Sequence, residues 1–103
     1  MAQYVHKKLP YDKQDALLKQ FCEVLHRLKT VDEIMRFLKD LLNRGERVMF
    51  LRRFRMAQLL ELESTYEDIM KELGCSKTTI ARIEQRLNFG RGGYKLAIRK
   101  AKK

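Results

Sequence analysis

An all-α fold of about six helices is predicted by three features of the sequence. Apolar residues recur at helical spacing in six stretches between residues 12 and 100. A polar residue followed three positions later by an acid or amide opens several of them, as helix starts require. Turn residues fall between the stretches, most clearly at Gly74 and in Gly90-Arg-Gly-Gly93.

Residues 1–10 have no sustained period and hold the only proline, so they read as a flexible arm. Lys7 and Lys8 on it either contact phosphates or stay solvated. Helix A is expected from Asp12 to about Leu28, with Asp12 as N-cap and Asp15 near the positive end of the helix dipole. Leu17, Leu18, Phe21, Val24, Leu25 and Leu28 form its apolar stripe. Helix B opens on a capping box of Thr30 and Glu33, and Val31, Ile34, Met35, Leu38, Leu41 and Leu42 line one side. Asn43-Arg-Gly-Glu46 is a turn and a third start signal, after which helix C runs to about Leu62.

Helix C differs from the first two. Val48, Met49, Phe50, Leu51, Phe54, Met56, Ala57, Leu59, Leu60 and Leu62 go most of the way round it, the pattern of a buried helix. A 103-residue chain has little material to surround such a helix. A homodimer packing helices A to C of two chains is the simpler solution; a monomer with helix A over the far side is the competing one. Arg52, Arg53 and Arg55 must then project through the exposed strip, to pair with acids such as Glu61 and Glu63 or to line an anion-accepting surface.

Residues 64–87, STYEDIMKELGCSKTTIARIEQRL, hold two short helical patterns around a glycine. Ser64 with Glu67, or Thr65 with Asp68, caps the first, which presents Ile69 and Leu73. Gly74 stands where a left-handed C-cap is needed. Ser76 caps the second, with Ile80, Ile83 and Leu87 on its inner side. Helix, glycine turn and helix together form a helix-turn-helix, whose second helix can enter a DNA major groove; the alternative is a plain helical hairpin in an α-helical core. A break with three glycines follows Leu87, then a last helix from about Tyr94 to Lys100 with Leu96 and Ile98.

Charge favours the DNA reading. The formal net charge is +10, with a pI near 9.9, which points to an anionic partner. After Glu84 there is no acid, whereas Arg86, Arg91, Lys95, Arg99, Lys100, Lys102 and Lys103 are basic. Before Ser64, acids come closer to balancing the bases. The excess lies on and beyond the second helix of the motif, where phosphates would be. Side chains placed to face the groove are Ser76, Lys77, Thr78, Ala81, Arg82 and Gln85, with Thr79 able to reach a phosphate. Lys77 suits a phosphate or a guanine edge, Thr78 and Ala81 suit thymine methyls, and Gln85 suits adenine.

Other classes find less support. Cys22 and Cys75 are the only cysteines, without CxxC or a nearby histidine pair, so neither a zinc site nor a disulfide framework is expected. They read as reduced, buried thiols. No phosphate loop, HExxH, carboxylate pair or nucleophile beside a histidine is present, so no enzyme is expected; His26 reads as a surface or core-edge residue. The absence of a cleavable apolar leader and of any span-length apolar run implies a cytoplasmic protein without membrane contact.

The segments LNRGERVMFLRRFRMAQLL and KELGCSKTTIARI, within Leu17 to Leu87, resemble the bacterial Trp repressor and its uncharacterised relatives. The resemblance implies an intertwined six-helix dimer with a helix-turn-helix head on each side and a palindromic operator. The family's groove-reading positions fall on Lys77, Thr78 and Ala81. Its two arginines that contact the corepressor L-tryptophan fall on Arg52 and Arg82. Three departures argue against the same ligand in the same pose. Ile83 stands for a glycine that makes room for the indole, Arg86 for a serine near the amino group, and Leu42 for a threonine.

The expected organisation is an arm (1–10) and one domain (11–103). The domain comprises a dimerisation core (11–63), a helix-turn-helix (64–87) and a C-terminal helix with a basic tail (88–103). The expected function is a homodimeric, cytoplasmic, DNA-binding transcriptional regulator acting as a repressor, with L-tryptophan, another small corepressor or none as its effector. The alternative is a protein-interaction module whose basic face meets an acidic partner. RNA binding is disfavoured by the lack of aromatic stacking platforms.

Overall fold

A computed structural model describes residues 9–102. Among the described residues there are six helices and no strand: α1 (Tyr11–Arg27), α2 (Val31–Leu41), α3 (Arg44–Glu61), α4 (Tyr66–Leu73), α5 (Lys77–Phe89) and α6 (Gly93–Ala101). The expected arm, with His6, Lys7 and Lys8, lies outside the described residues except for Leu9 and Pro10, and so does Lys103. The chain divides into two units, Met1–Leu41 and Leu42–Lys103.

In the first unit, α1 begins one residue earlier than its spacing predicted. Pro10, not Asp12, is the N-cap; it is extended (φ −57°, ψ 155°) and has no side-chain cap bond. Its carbonyl accepts the first helical bond, from Gln14 N at 2.9 Å. Asp12 therefore sits inside the first turn, where it still faces the positive end of the helix dipole. The α2 start follows the expected box only in part. Thr30 Oγ1 accepts from Glu33 N (3.1 Å), but the Glu33 carboxylate reaches back to Lys29 N (3.0 Å), one residue beyond Thr30.

The Phe21 and Phe37 rings, 5.5 Å apart at 37°, join α1 to α2. Neither helix contains a fully buried residue. Leu17, Leu18, Val24, Val31, Met35 and Leu41 are exposed, and so is Cys22, contrary to the expectation of a buried thiol.

The second unit holds the core. Asn43 and Glu46 close a full capping box at the start of α3, with both bonds at 2.9 Å. Met56, Ala57 and Leu59 from the C-terminal half of α3 are buried with Ile69, Ile80, Ile83, Leu87 and Ile98. Cys75 packs half-buried against this cluster. Within one chain only the C-terminal half of α3 is buried, while Val48, Met49, Phe50 and Leu51 of its N-terminal half are exposed. The salt-bridge expectation also shifts: Arg55 pairs with Glu72 on α4 at 2.9 Å, not with Glu61 or Glu63.

Helix α3 ends in a six-residue reversal. Ser64 N bonds to Leu59 O (3.0 Å), and Glu63 N to Leu60 O (3.0 Å), with Glu63 left-handed at φ 63°. This is the Schellman pattern, with a glutamate where glycine is favoured. A side chain with a Cβ is strained there by about 1–2 kcal/mol. Glu63→Gly is therefore expected to raise unfolding stability by about 1 kcal/mol in urea titration, after glycine's extra chain entropy is subtracted.

Candidate nucleic-acid interface

The arrangement of α4 and α5 follows from local backbone chemistry. Of the two starts open to α4, the structure uses Thr65, whose Oγ1 accepts from Asp68 N at 3.1 Å. The helix ends at Gly74, left-handed at φ 62°, whose N–H bonds to Met70 O at 2.8 Å. Only Cys75 and Ser76 separate this cap from α5. Ser76 is extended (φ −87°, ψ 161°), and its Oγ accepts from Thr79 N at 3.2 Å. The Ser76 and Thr79 hydroxyls are also 3.0 Å apart, so both are tied to the helix start.

Helix α5 runs two residues past the expected Leu87. It stops at Gly90, where an added Cβ would stand 2.3 Å from Arg86 O. Only glycine fits that close approach.

Burial fixes the orientation of α5. Ile80, Ile83 and Leu87 are buried, while Ser76, Lys77, Thr78, Thr79, Ala81, Arg82 and Gln85 are all exposed. The seven candidate residues thus lie on the wet side of one capped helix, with no acid in its first turn. The one acid on α5, Glu84, is half-buried and accepts a 2.5 Å bond from Tyr66 Oη on α4. This link was not legible in the sequence, since the two residues are 18 apart and meet only because of the turn at Gly74.

The two effector candidates also converge. Arg52 of α3 and Arg82 of α5 line a cleft of about 520 Å³ with Val48, Met49, Met56, Ser76 and Thr79. Ile83 and Arg86 do not line it. They line a second cleft of about 530 Å³ with Arg53, Arg82 and Tyr94.

The model of the Trp repressor protein family matches residues 16–102. The chain belongs to the Trp repressor family. The uncharacterised protein YerC of Bacillus subtilis (strain 168) is 35% identical over 75 residues, 73% of this chain and 72% of that one. A solved TrpR-like protein from Eubacterium eligens ATCC 27750 matches with a TM-score of 0.78 at 30% identity, covering 84% of this chain and 89% of that one. A candidate Trp repressor from Staphylococcus aureus shares the fold, with a TM-score of 0.78 at 24% identity over 97% of this chain and 96% of that one. No helix among the described residues is long and apolar enough to cross a membrane.

The hydrogen bond to Glu84, with desolvation and the carboxylate's charge, raises the Tyr66 phenol above its usual 10.0. A group whose folded pKa is raised stabilises the fold below its unfolded pKa and loses that contribution as pH climbs through the folded one. Tyr66→Phe is thus expected to lower the melting temperature at pH 7 to 9, with the gap from the native chain closing once pH rises past about 10. A gap that does not change with pH would show that the loss is one of packing.

Proposed function

We propose that the chain is a homodimeric, sequence-specific DNA-binding regulator whose α5 lies in the major groove. The exposed side of α5 carries this reading. Its first turns offer Lys77, Thr78, Ala81, Arg82 and Gln85, a mixture of cationic, methyl and amide groups that suits base edges and phosphates. The Ser76 cap and the buried Ile80, Ile83 and Leu87 hold that side outward. Arg91, Lys95, Arg99, Lys100 and Lys102 beyond it supply backbone contacts with no acid to oppose them. Family membership supports the same reading.

Two copies are proposed because apolar surface is left wet in both units. Val31 is 74% exposed, Leu51 68% and Phe50 50%. Exposed apolar patches of this kind mark association surfaces. Repression as the sign of regulation rests on the family alone.

The Arg52–Arg82 cleft is the proposed place for a small effector. Arginines and no carboxylate line it. It therefore favours an anionic group and offers no acid to receive the ammonium of an amino acid such as L-tryptophan.

Binding to duplex DNA should weaken about 10³- to 10⁵-fold between 50 and 200 mM salt if about six to ten phosphates are neutralised. Lys77→Ala and Arg82→Ala should each cost about five- to a hundredfold in affinity by fluorescence anisotropy, with dimerisation intact. Salt-insensitive binding, or none at low salt, would remove the proposal. A probe that unrelated duplex DNA cannot displace would favour a protein partner instead.

Light scattering should give twice the 12.3 kDa chain mass. Leu51→Glu should shift it towards the single-chain value.

A further inference from the structure

Arg82 faces two clefts, which also share Arg53 and Thr79, while Ile83, Gln85, Arg86 and Tyr94 line only the second. Between α3, α5 and α6, Arg53, Arg82 and Arg86 line a space of about 530 Å³ together with Thr79, Gln85 and Tyr94. No carboxylate lines it. Among the described residues none of the three guanidiniums makes an ion pair, whereas Arg36 pairs with Asp32 and Arg55 with Glu72.

The arrangement works against helix stability. Arg82 and Arg86 are four apart on α5, and like charges at that spacing destabilise a helix. Arg53 brings a third cation from α3. The acid that could have offset them, Glu84, is bonded to Tyr66 instead. A bound anion would attract all three guanidiniums and offset their mutual repulsion.

We propose that this cleft binds a phosphate group. Three guanidiniums present more paired N–H donors than one carboxylate can accept, whereas a phosphate dianion accepts from each. The Thr79 hydroxyl and Gln85 amide add neutral donors. The cleft's volume falls in the range of small-molecule sites, well above what a bare phosphate fills. Buried Ile83 and half-buried Tyr94 give it an apolar wall. The ligand class is therefore a phosphomonoester with an apolar or aromatic body. A phosphate of the DNA backbone offers the same headgroup, so the source has to be separated by experiment. The inference does not depend on DNA binding.

The probes are inorganic phosphate, phenyl phosphate, benzoate and a short duplex DNA, titrated at constant ionic strength and read by calorimetry and NMR. Saturable phenyl phosphate binding is expected, tighter than that of inorganic phosphate and about tenfold or more tighter than that of benzoate. Arg53→Gln and Arg86→Gln, outside the seven proposed groove residues, should each weaken it about tenfold, with a thermal melt that does not fall and rises slightly for Arg86→Gln. If DNA affinity stays within about twofold in these variants, the phosphate comes from a free ligand. If DNA affinity falls in step and duplex displaces phenyl phosphate, it comes from the DNA backbone. Benzoate binding as tight as phenyl phosphate, no saturation by either phosphate probe, or binding unchanged in both variants would overturn the assignment. DNA binding without phosphate binding would remove this inference alone; phosphate binding without DNA binding would remove the regulatory proposal alone.

Discussion

Burial of Ile69 and Ile80, each with no solvent exposure, fixes the rest of the second unit. They lie on either side of the Gly74 turn and meet Met56, Ala57 and Leu59 of α3 in the same cluster. Once Ile80 is inside, helical periodicity places Ile83 and Leu87 inside as well, and turns Lys77, Thr78, Ala81, Arg82 and Gln85 outward. The wet side of α5 thus follows from the core. The backbone caps at Thr65, Gly74 and Ser76 set where each helix begins and ends, and the core sets which way it faces. The salt bridge from Arg55 to Glu72 and the bond from Tyr66 to Glu84 then tie α4 to both neighbours.

Much of this was legible in the sequence because it is local. Capping boxes span four residues, a C-cap glycine marks its own position, and apolar spacing reports a helix's inner side directly. Of the elements that depend on such signals, α4 and α5 lie within two residues of their expected ends, whereas α3 begins at Arg44, inside the segment expected to be a turn. Weaker signals gave weaker boundaries. Asp12 looked like a cap because it is acidic and precedes an apolar stripe, yet the extended backbone of Pro10 had already begun the helix.

Apart from Arg52 with Arg82, which the family resemblance brought together, no meeting of distant residues could be read. Tyr66 with Glu84, Arg55 with Glu72, and Arg53 with Arg86 and Tyr94 depend on crossing angles that no spacing encodes. Composition likewise marked α3 as apolar without saying where its partner lies. Its C-terminal half enters the core, whereas Val48 to Leu51 stay exposed. That division is what a second chain would complete. The same exposed surface is what the proposed dimer would cover.

The central claim is that α5 meets DNA with the side its core residues turn outward. Amide and side-chain chemical shifts recorded as duplex DNA is added test it residue by residue. The account predicts the largest changes at Lys77, Thr78, Ala81, Arg82 and Gln85, with lesser ones along α6 and little at Glu67, Asp68 and Lys71 of α4. Changes concentrated on the exposed apolar surface of α1 and α2, with α5 silent, would contradict it.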